Sequence, residues 1–255
     1  MTSGSATSPW FVRPPSADHP ARLFCFPYSG SGASAFSAWP AAVDDIEICP
    51  VQFPGRENRL AEPHYGTYEN LAAGLAAALP PLLDRPFAFF GHCAGALPAF
   101  ETVVALGQRG LPRPECLIVS GLPAPHEASR DRMLTMTEPE LRAELRSVLR
   151  GRGIEPRPDM LDLGMHVLLR DLAAARAYRR AEPVAVPCRI VVLHRRDDPD
   201  VSPDDLRGWH RYSREVDFQE TDGGPDAFLD APDALRKPLT SWMSRRSRIP
   251  RDVRR

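Results

Sequence analysis

Lysine is almost missing from this chain. Lys237 stands alone, and arginine supplies nearly all of the 32 basic residues set against 33 acidic ones. With a net charge of −1, nothing in the overall balance points to nucleic acid. Beside abundant alanine and proline, the scarcity of lysine reads as GC-rich coding bias rather than function. Long apolar runs are also absent: none approaches the roughly 18 residues of a membrane span. The opening "MTSGSATSPWFVRPPSADHPAR" lacks a charged segment followed by an apolar one, so it predicts no secretory signal and a cytoplasmic protein. Cysteines at paired spacing are missing too. The odd count of 5 argues against a disulfide framework or a zinc site, and no metal is expected. Cys25, Cys49, Cys116 and Cys188 each lie in a short apolar run ("LFCF", "IEICPV", "ECLIVS", "PCRIVVL") and read as small buried hydrophobes. Cys93 lies outside any such run.

What is present is an alternation of β-forming runs and helical stretches over 255 residues, the pattern of an α/β fold with a mainly parallel sheet. Strands are expected at Arg22–Phe26, Glu47–Gln52, Phe87–Phe90, Cys116–Ser120, Arg189–Leu193 and Val216–Glu220. Helices are expected at Tyr68–Leu79, Ala94–Arg109, Ser202–Tyr212 and Pro232–Met243. Residues 1–20 read as a flexible leader, 21–124 and 184–245 as the core, and 246–255 as a basic tail, either frayed or docking to an acidic partner. Between them, residues 125–183 contain no clear strand. "TEPELRAELRSVLRG" starts with Thr137 and places Glu140 at capping-box spacing, and "DMLDLGMHVLLRDLAAARAYRR" repeats apolar residues at helical intervals. This segment reads as a helical lid over the C-terminal edge of the sheet, where open α/β sheets place ligands, or as an ordinary pair of packing helices.

The stretch "FFGHCAGALPAF" has the spacing of a nucleophile elbow, G-x-S-x-G, with Cys93 where serine is usual. Such an elbow lifts one side chain clear of the sheet and aims the next helix's N-terminus at it. The amide of Ala94 can then donate to an oxyanion. A second donor is expected from the loop after the first strand, "FPYSGSGAS", at Ser29. That loop lacks the G-K-[ST] ending of a phosphate-binding loop. Asp198, close after a strand in "VVLHRRDDPDVSPDDL", matches the acid position of hydrolases that run nucleophile, acid, histidine.

The histidine is missing as well. Its expected place, "ETDGGPDAFLD", holds Pro225 and Asp226. His194, four residues before Asp198, is the one histidine outside the elbow expected near the site. Asp226 or His194 is therefore the candidate proton acceptor.

Five stretches together resemble the type II thioesterases, the stand-alone α/β hydrolases of polyketide and nonribosomal peptide assembly lines. They are "LFCFPYSGSGASAF", "VQFPGRENRL", "RPFAFFGHCAGALPAFE", "SGLPAPH" and "DDPDVSPDDLRGW". The resemblance implies an α/β-hydrolase fold: a mainly parallel central sheet with helices on both faces and an inserted helical lid. It implies an acyl or peptidyl carrier protein as partner and an acyl thioester on that partner's phosphopantetheine as substrate. It implies no cofactor of the protein's own and a monomer. By position, Cys93 is the nucleophile, Asp198 the acid, and the amides of Ser29 and Ala94 the oxyanion donors. Two departures stand out: cysteine for the usual serine, and "GGPDAF" for the family's "GGHFF".

The departures fit each other. A thiol with an ordinary pKa near 8.5 needs a shift of about 1.5 units, roughly 2 kcal/mol, to be half ionised at pH 7. A helix N-terminus can supply up to about 2 kcal/mol. Cys93 is thus expected to acylate without histidine, whereas activating water needs a base worth a factor of about 100 to 10,000. The leading expectation is acyl transfer or cyclisation from an acyl-Cys93. Slow editing hydrolysis and a non-catalytic acyl-carrier-binding protein are the alternatives.

Overall fold

The computed structural model describes residues 8–127, 131–151, 153–196, 198 and 200–222. Its seven strands are β1 (Ala21–Phe26), β2 (Ala42–Val43), β3 (Ile46–Pro50), β4 (Phe87–His92), β5 (Cys116–Ser120), β6 (Arg189–Arg195) and β7 (Val216–Thr221). They form one sheet in the order β2-β3-β1-β4-β5-β6-β7. Every pairing is parallel except β2 with β3. The helices are α1 (Tyr68–Ala78), α2 (Ala96–Gln108), α3 (Glu138–Gly151) and α4 (Pro158–Ala177). This is the α/β-hydrolase architecture, and only the two-residue β2 is a strand the sequence reading lacked.

Strand alternation builds two cores. Phe24, Phe26, Phe87, Phe89, Leu117 and Val119 point to one face, where α1 and α2 pack, with Phe24 and Phe89 edge-on at 5.9 Å between ring centroids. The neighbours Leu23, Cys25, Ala88, Phe90, Cys116 and Ile118 point to the other, where Phe36 and Trp39 cover them. The described residues place no α-helix on this second face; the helix expected at 232–243 lies outside them, as does the basic tail. Four cysteines are core residues, as expected.

One expectation is corrected. The leader is not loose over residues 8–20. Trp10 and Phe11 are buried, Phe11 bridges to Val51, and the Arg59 guanidinium sits 4.6 Å from the Trp10 ring centre. Apolar area outweighs the polar and proline content that suggested a free leader. The helix expected at Ser202–Tyr212 is present, wound as a 3-10 helix over residues 203–211. The buried side chains there, Leu206, Trp209 and Tyr212, recur every third residue, which fits three residues per turn and not 3.6.

The segment between β5 and β6 is helical, with α3 and α4 packed on each other through Leu141, Met165, Leu168 and Leu172. The capping box at its start is half made. The Thr137 amide donates to Glu140 at 2.7 Å, but the Thr137 hydroxyl also donates to that carboxylate. No helix of the described residues is long and apolar enough to cross a membrane.

Candidate active site

The chain turns sharply from β4 into α2 at Cys93, whose φ is +48°, a left-handed conformation that costs a non-glycine residue free energy. The flanking glycines permit the turn by lacking a side chain. A Cβ on Gly91 would stand 2.4 Å from the Gly95 carbonyl oxygen, and one on Gly95 would stand 2.6 Å from that of Phe26. The elbow read from the sequence is therefore present, with its strain held by the packing of β1, β4 and α2.

Cys93 is half-buried and lines a cavity of about 190 Å³ with His92, Asp131, Arg195, Asp198 and Tyr28. The Ala94 amide faces its sulfur, and this contact with the Arg195 charge favours the thiolate. Burial opposes them, helped by Asp131, and wins: the thiol is pushed up to about 12. The expectation of a thiol ionised by the helix N-terminus is thus corrected. Desolvation costs the thiolate more than the aligned amides return, and at neutral pH Cys93 holds its proton.

Asp198 is in the same cavity, where it serves neighbours other than a histidine. Its Oδ2 accepts from Arg195 Nη2 at 2.6 Å, and its Oδ1 accepts from the amides of Asp200 and Val201 at 3.0 and 3.2 Å. His194 is not brought to the cavity. It lies opposite Glu220 in the β6–β7 register, with Nε2 3.6 Å from the Glu220 carboxylate. The strand carries its side chain to the face opposite Arg195. Asp226 lies outside the described residues. The imidazole present is His92, paired with Ser120 Oγ at 3.0 Å and driven down to about 3 by burial and by Arg195, so it is neutral.

The loop after β1 is a tight turn. The Ser31 amide donates to the Tyr28 carbonyl at 3.1 Å, with Ser29 and Gly30 between them and Gly30 at φ +78°. It is anchored from three sides. The Gly30 amide donates to Asp171 Oδ2 at 2.7 Å, Arg56 Nη1 donates to the Ser31 carbonyl at 2.8 Å, and the Ala33 amide donates to Gln52 Oε1 at 2.9 Å. Asp171, on α4, also receives Arg56 through two nitrogens at 2.7 Å, and Tyr65 Oη and His64 Nε2 at 2.8 Å each. Burial alone would raise this carboxyl, but the bonds from His64, Arg56 and the Gly30 amide hold it down at about 2. Among the described residues, the Ser29 and Tyr68 hydroxyls are buried without a hydrogen-bond partner, and they border a cavity of about 10 Å³, the room of one water.

Sequence reasoning missed Asp171, Asp131 and Arg195. The first two lie in a segment read as a covering element, and Arg195 passed as a strand-end charge. The "VQFPGRENRL" stretch was the available signal for the anchor, since Gln52 and Arg56 both belong to it. Across Asp131, Leu122 and Pro123 from the Cys93 cavity lies a larger one of about 570 Å³, lined also by Ala94, Leu97 and Tyr178.

Known proteins match this architecture. Residues 21–235 fit the model of the thioesterase domain. The gramicidin S biosynthesis protein GrsT of Aneurinibacillus migulanus is 33% identical over 220 residues, spanning 84% of this chain and 85% of that protein. The RedJ thioesterase from the prodiginine biosynthetic pathway of Streptomyces coelicolor superposes with a TM-score of 0.70 at 33% identity, covering 94% of this chain and 99% of RedJ. YbtT, the type II thioesterase of the yersiniabactin NRPS/PKS pathway, gives 0.76 at 26% identity over 91% of this chain and 95% of its own. An elbow in strained left-handed backbone, a parallel sheet beneath it and these matches lead to one assignment: the chain belongs to the thioesterase domain family.

Proposed function

We propose that this protein acts on acyl thioesters borne on the phosphopantetheine of an acyl or peptidyl carrier protein, and that Cys93 takes the acyl group as a covalent thioester. The observation that carries the reading is the sulfur's position: at the tip of the elbow, open to a cavity, with the Ala94 amide facing it. The Ser29 amide, in the anchored turn, is the second oxyanion donor. The helices between β5 and β6 act as the lid. Asp198 fixes Arg195 beside the sulfur instead of orienting an imidazole. No cofactor of the protein's own enters the chemistry.

Release is by transfer to a nucleophile, or by cyclisation, more than by hydrolysis. Exchange of one thioester for another is nearly neutral in free energy, whereas water must be deprotonated by a base worth about 100 to 10,000 in rate. The imidazole in the cavity, His92, is neutral and engaged with Ser120. A slow editing hydrolase is the second reading, favoured by relatives that are themselves thioesterases.

The test is an intact-protein mass spectrum after mixing with an acylated carrier protein, with Cys93→Ala and Cys93→Ser alongside. The expected result is a mass gain of one acyl group, absent in Cys93→Ala and cleared by an added thiol or amine. Prompt free acid without any acceptor would move the assignment to the editing hydrolase. No gain together with no turnover would leave a carrier-binding protein without catalysis.

A further inference from the structure

The hollow of about 570 Å³ beside the Cys93 cavity joins a buried apolar end to a charged opening. We propose that this hollow takes the pantetheine arm, and that Arg176, Arg179 and Arg180 at its mouth bind the phosphate linking the arm to the carrier protein. The proposal rests on the reading of the substrate as a phosphopantetheine-borne thioester, and adds to it a phosphate site.

At the inner end lie Ala94, whose amide faces the Cys93 sulfur, and the buried Leu97, Leu122 and Pro123. At the outer end lie three arginines within five residues, where α4 finishes at Ala177 and the chain leaves in extended backbone at Tyr178. Arg176 and Arg179 are exposed there and held by backbone carbonyls. Arg176 Nε and Nη2 donate to Leu134 at 3.2 and 2.9 Å, and Arg179 Nη1 donates to Tyr178 at 2.7 Å. Among the described residues neither pairs with a carboxylate, so both charges are left for a ligand. Arg180 is set differently. The buried Glu101 accepts from its Nε and Nη2 at 3.0 and 2.8 Å and from Tyr178 Oη at 2.6 Å. Its guanidinium also sits 5.5 Å from the Phe100 ring centre. This clamp fixes the guanidinium and leaves Nη1 outside the fork.

Two carboxylates share the wall. Asp131 lies at the junction with the Cys93 cavity, and Glu127 Oε2 accepts from the Ala124 amide at 3.0 Å. Glu101, which marks the place of Arg180, stands about 10 Å along α2 from Ala94 at 1.5 Å per residue. A pantetheine arm, with its two amide units, covers that distance. A thioester at Cys93 therefore brings its phosphate among the arginines, whose planar forks match phosphate oxygens. The volume is that of an ordinary small-molecule site. The acyl group, on the other side of the thioester, is left the cavity of about 190 Å³.

The test uses S-hexylpantetheine and S-hexylphosphopantetheine, thioethers that bind without transferring an acyl group, in calorimetric titrations. The phosphate should tighten binding by about 10-fold or more, a gain that shrinks as salt is raised. Arg176→Gln combined with Arg179→Gln should bring the two ligands to nearly equal affinity. These two arginines are chosen because they bond only to carbonyls, whereas Arg180→Gln would strand the buried Glu101. Equal affinities in the parent protein, or no binding of either thioether, would overturn the proposal. A phosphate preference that survives the double substitution would overturn it by placing the phosphate elsewhere. An equal loss for both ligands would do so by making the arginines structural. The S-carboxypentyl analogue of pantetheine carries its charge at the acyl end. If its carboxylate tightened binding through the same arginines, they would belong to the acyl chain instead. Failure of the Cys93 reading shows separately, as a missing acyl mass gain in a protein that still binds the thioethers.

Discussion

Two carboxylates of the segment between β5 and β6 are pushed in opposite directions by the same interior. Asp171 is almost fully enclosed, yet its pKa is held at about 2, because Arg56, His64, Tyr65 and the Gly30 amide all converge on it. Asp131 is less enclosed, yet it is raised, because burial outweighs the Met133 amide and the Arg132 charge that lower it. Burial alone does not decide the direction of a shift: it prevails at Asp131, and the donors that converge on Asp171 outweigh it there. A carboxylate saturated with donors, as Asp171 is, serves as a structural anchor.

The largest expected effect breaks the saturated side. Asp171→Ala leaves Arg56 charged and buried without its partner, and should cost about 3 to 5 kcal/mol of stability in a denaturant titration. The same carboxyl gives a pH signature. Its value in the fold lies below its ordinary 3.8, so its stabilisation is complete above about pH 5 and is lost as pH falls from 4 through about 2. That loss is worth about 2 kcal/mol, and Asp171→Asn should flatten the stability profile over this acid window. A smaller effect is expected at the elbow. Gly95→Ala places a Cβ 2.6 Å from the Phe26 carbonyl and 2.7 Å from that of Pro27, both backbone. The cost should be about 1 to 3 kcal/mol, with acyl-enzyme formation on Cys93 lost through displacement of the turn that follows β1. The smallest is Tyr68→Phe. Because that hydroxyl is buried without a partner, removing it should leave stability unchanged or raise it by up to about 1 kcal/mol in a thermal melt. A clear loss of stability there would reveal a bond that the resting geometry lacks.

The sheet was legible because β1, β4 and β5 alternate cleanly between two buried faces, so each run carries its own evidence. The elbow was legible for a similar reason: Gly91, Cys93 and Gly95 are close in sequence, and the glycines answer to clashes a few residues away. Asp171 was not, because "LLRDLAAAR" looks like any amphipathic helix, and its partners are 106 to 141 residues distant. The thiol's state was misjudged for a related reason. The helix N-terminus is visible in sequence, whereas the burial that outweighs it is assembled from β5, β6 and the loop at Asp131. The 3-10 winding of the helix at 203–211 was legible too, in the spacing of Leu206, Trp209 and Tyr212.

Because one carboxylate on α4 grips both Arg56 and the Gly30 amide, the covering helices and the turn that carries Ser29 form a single mechanical unit. Swinging α4 aside would release the turn and, with it, the Ser29 amide proposed to donate to the substrate oxygen. Acyl chains are thus expected to thread in from the side, through the larger hollow bordered by Tyr178 and Leu97, while the roof stays shut.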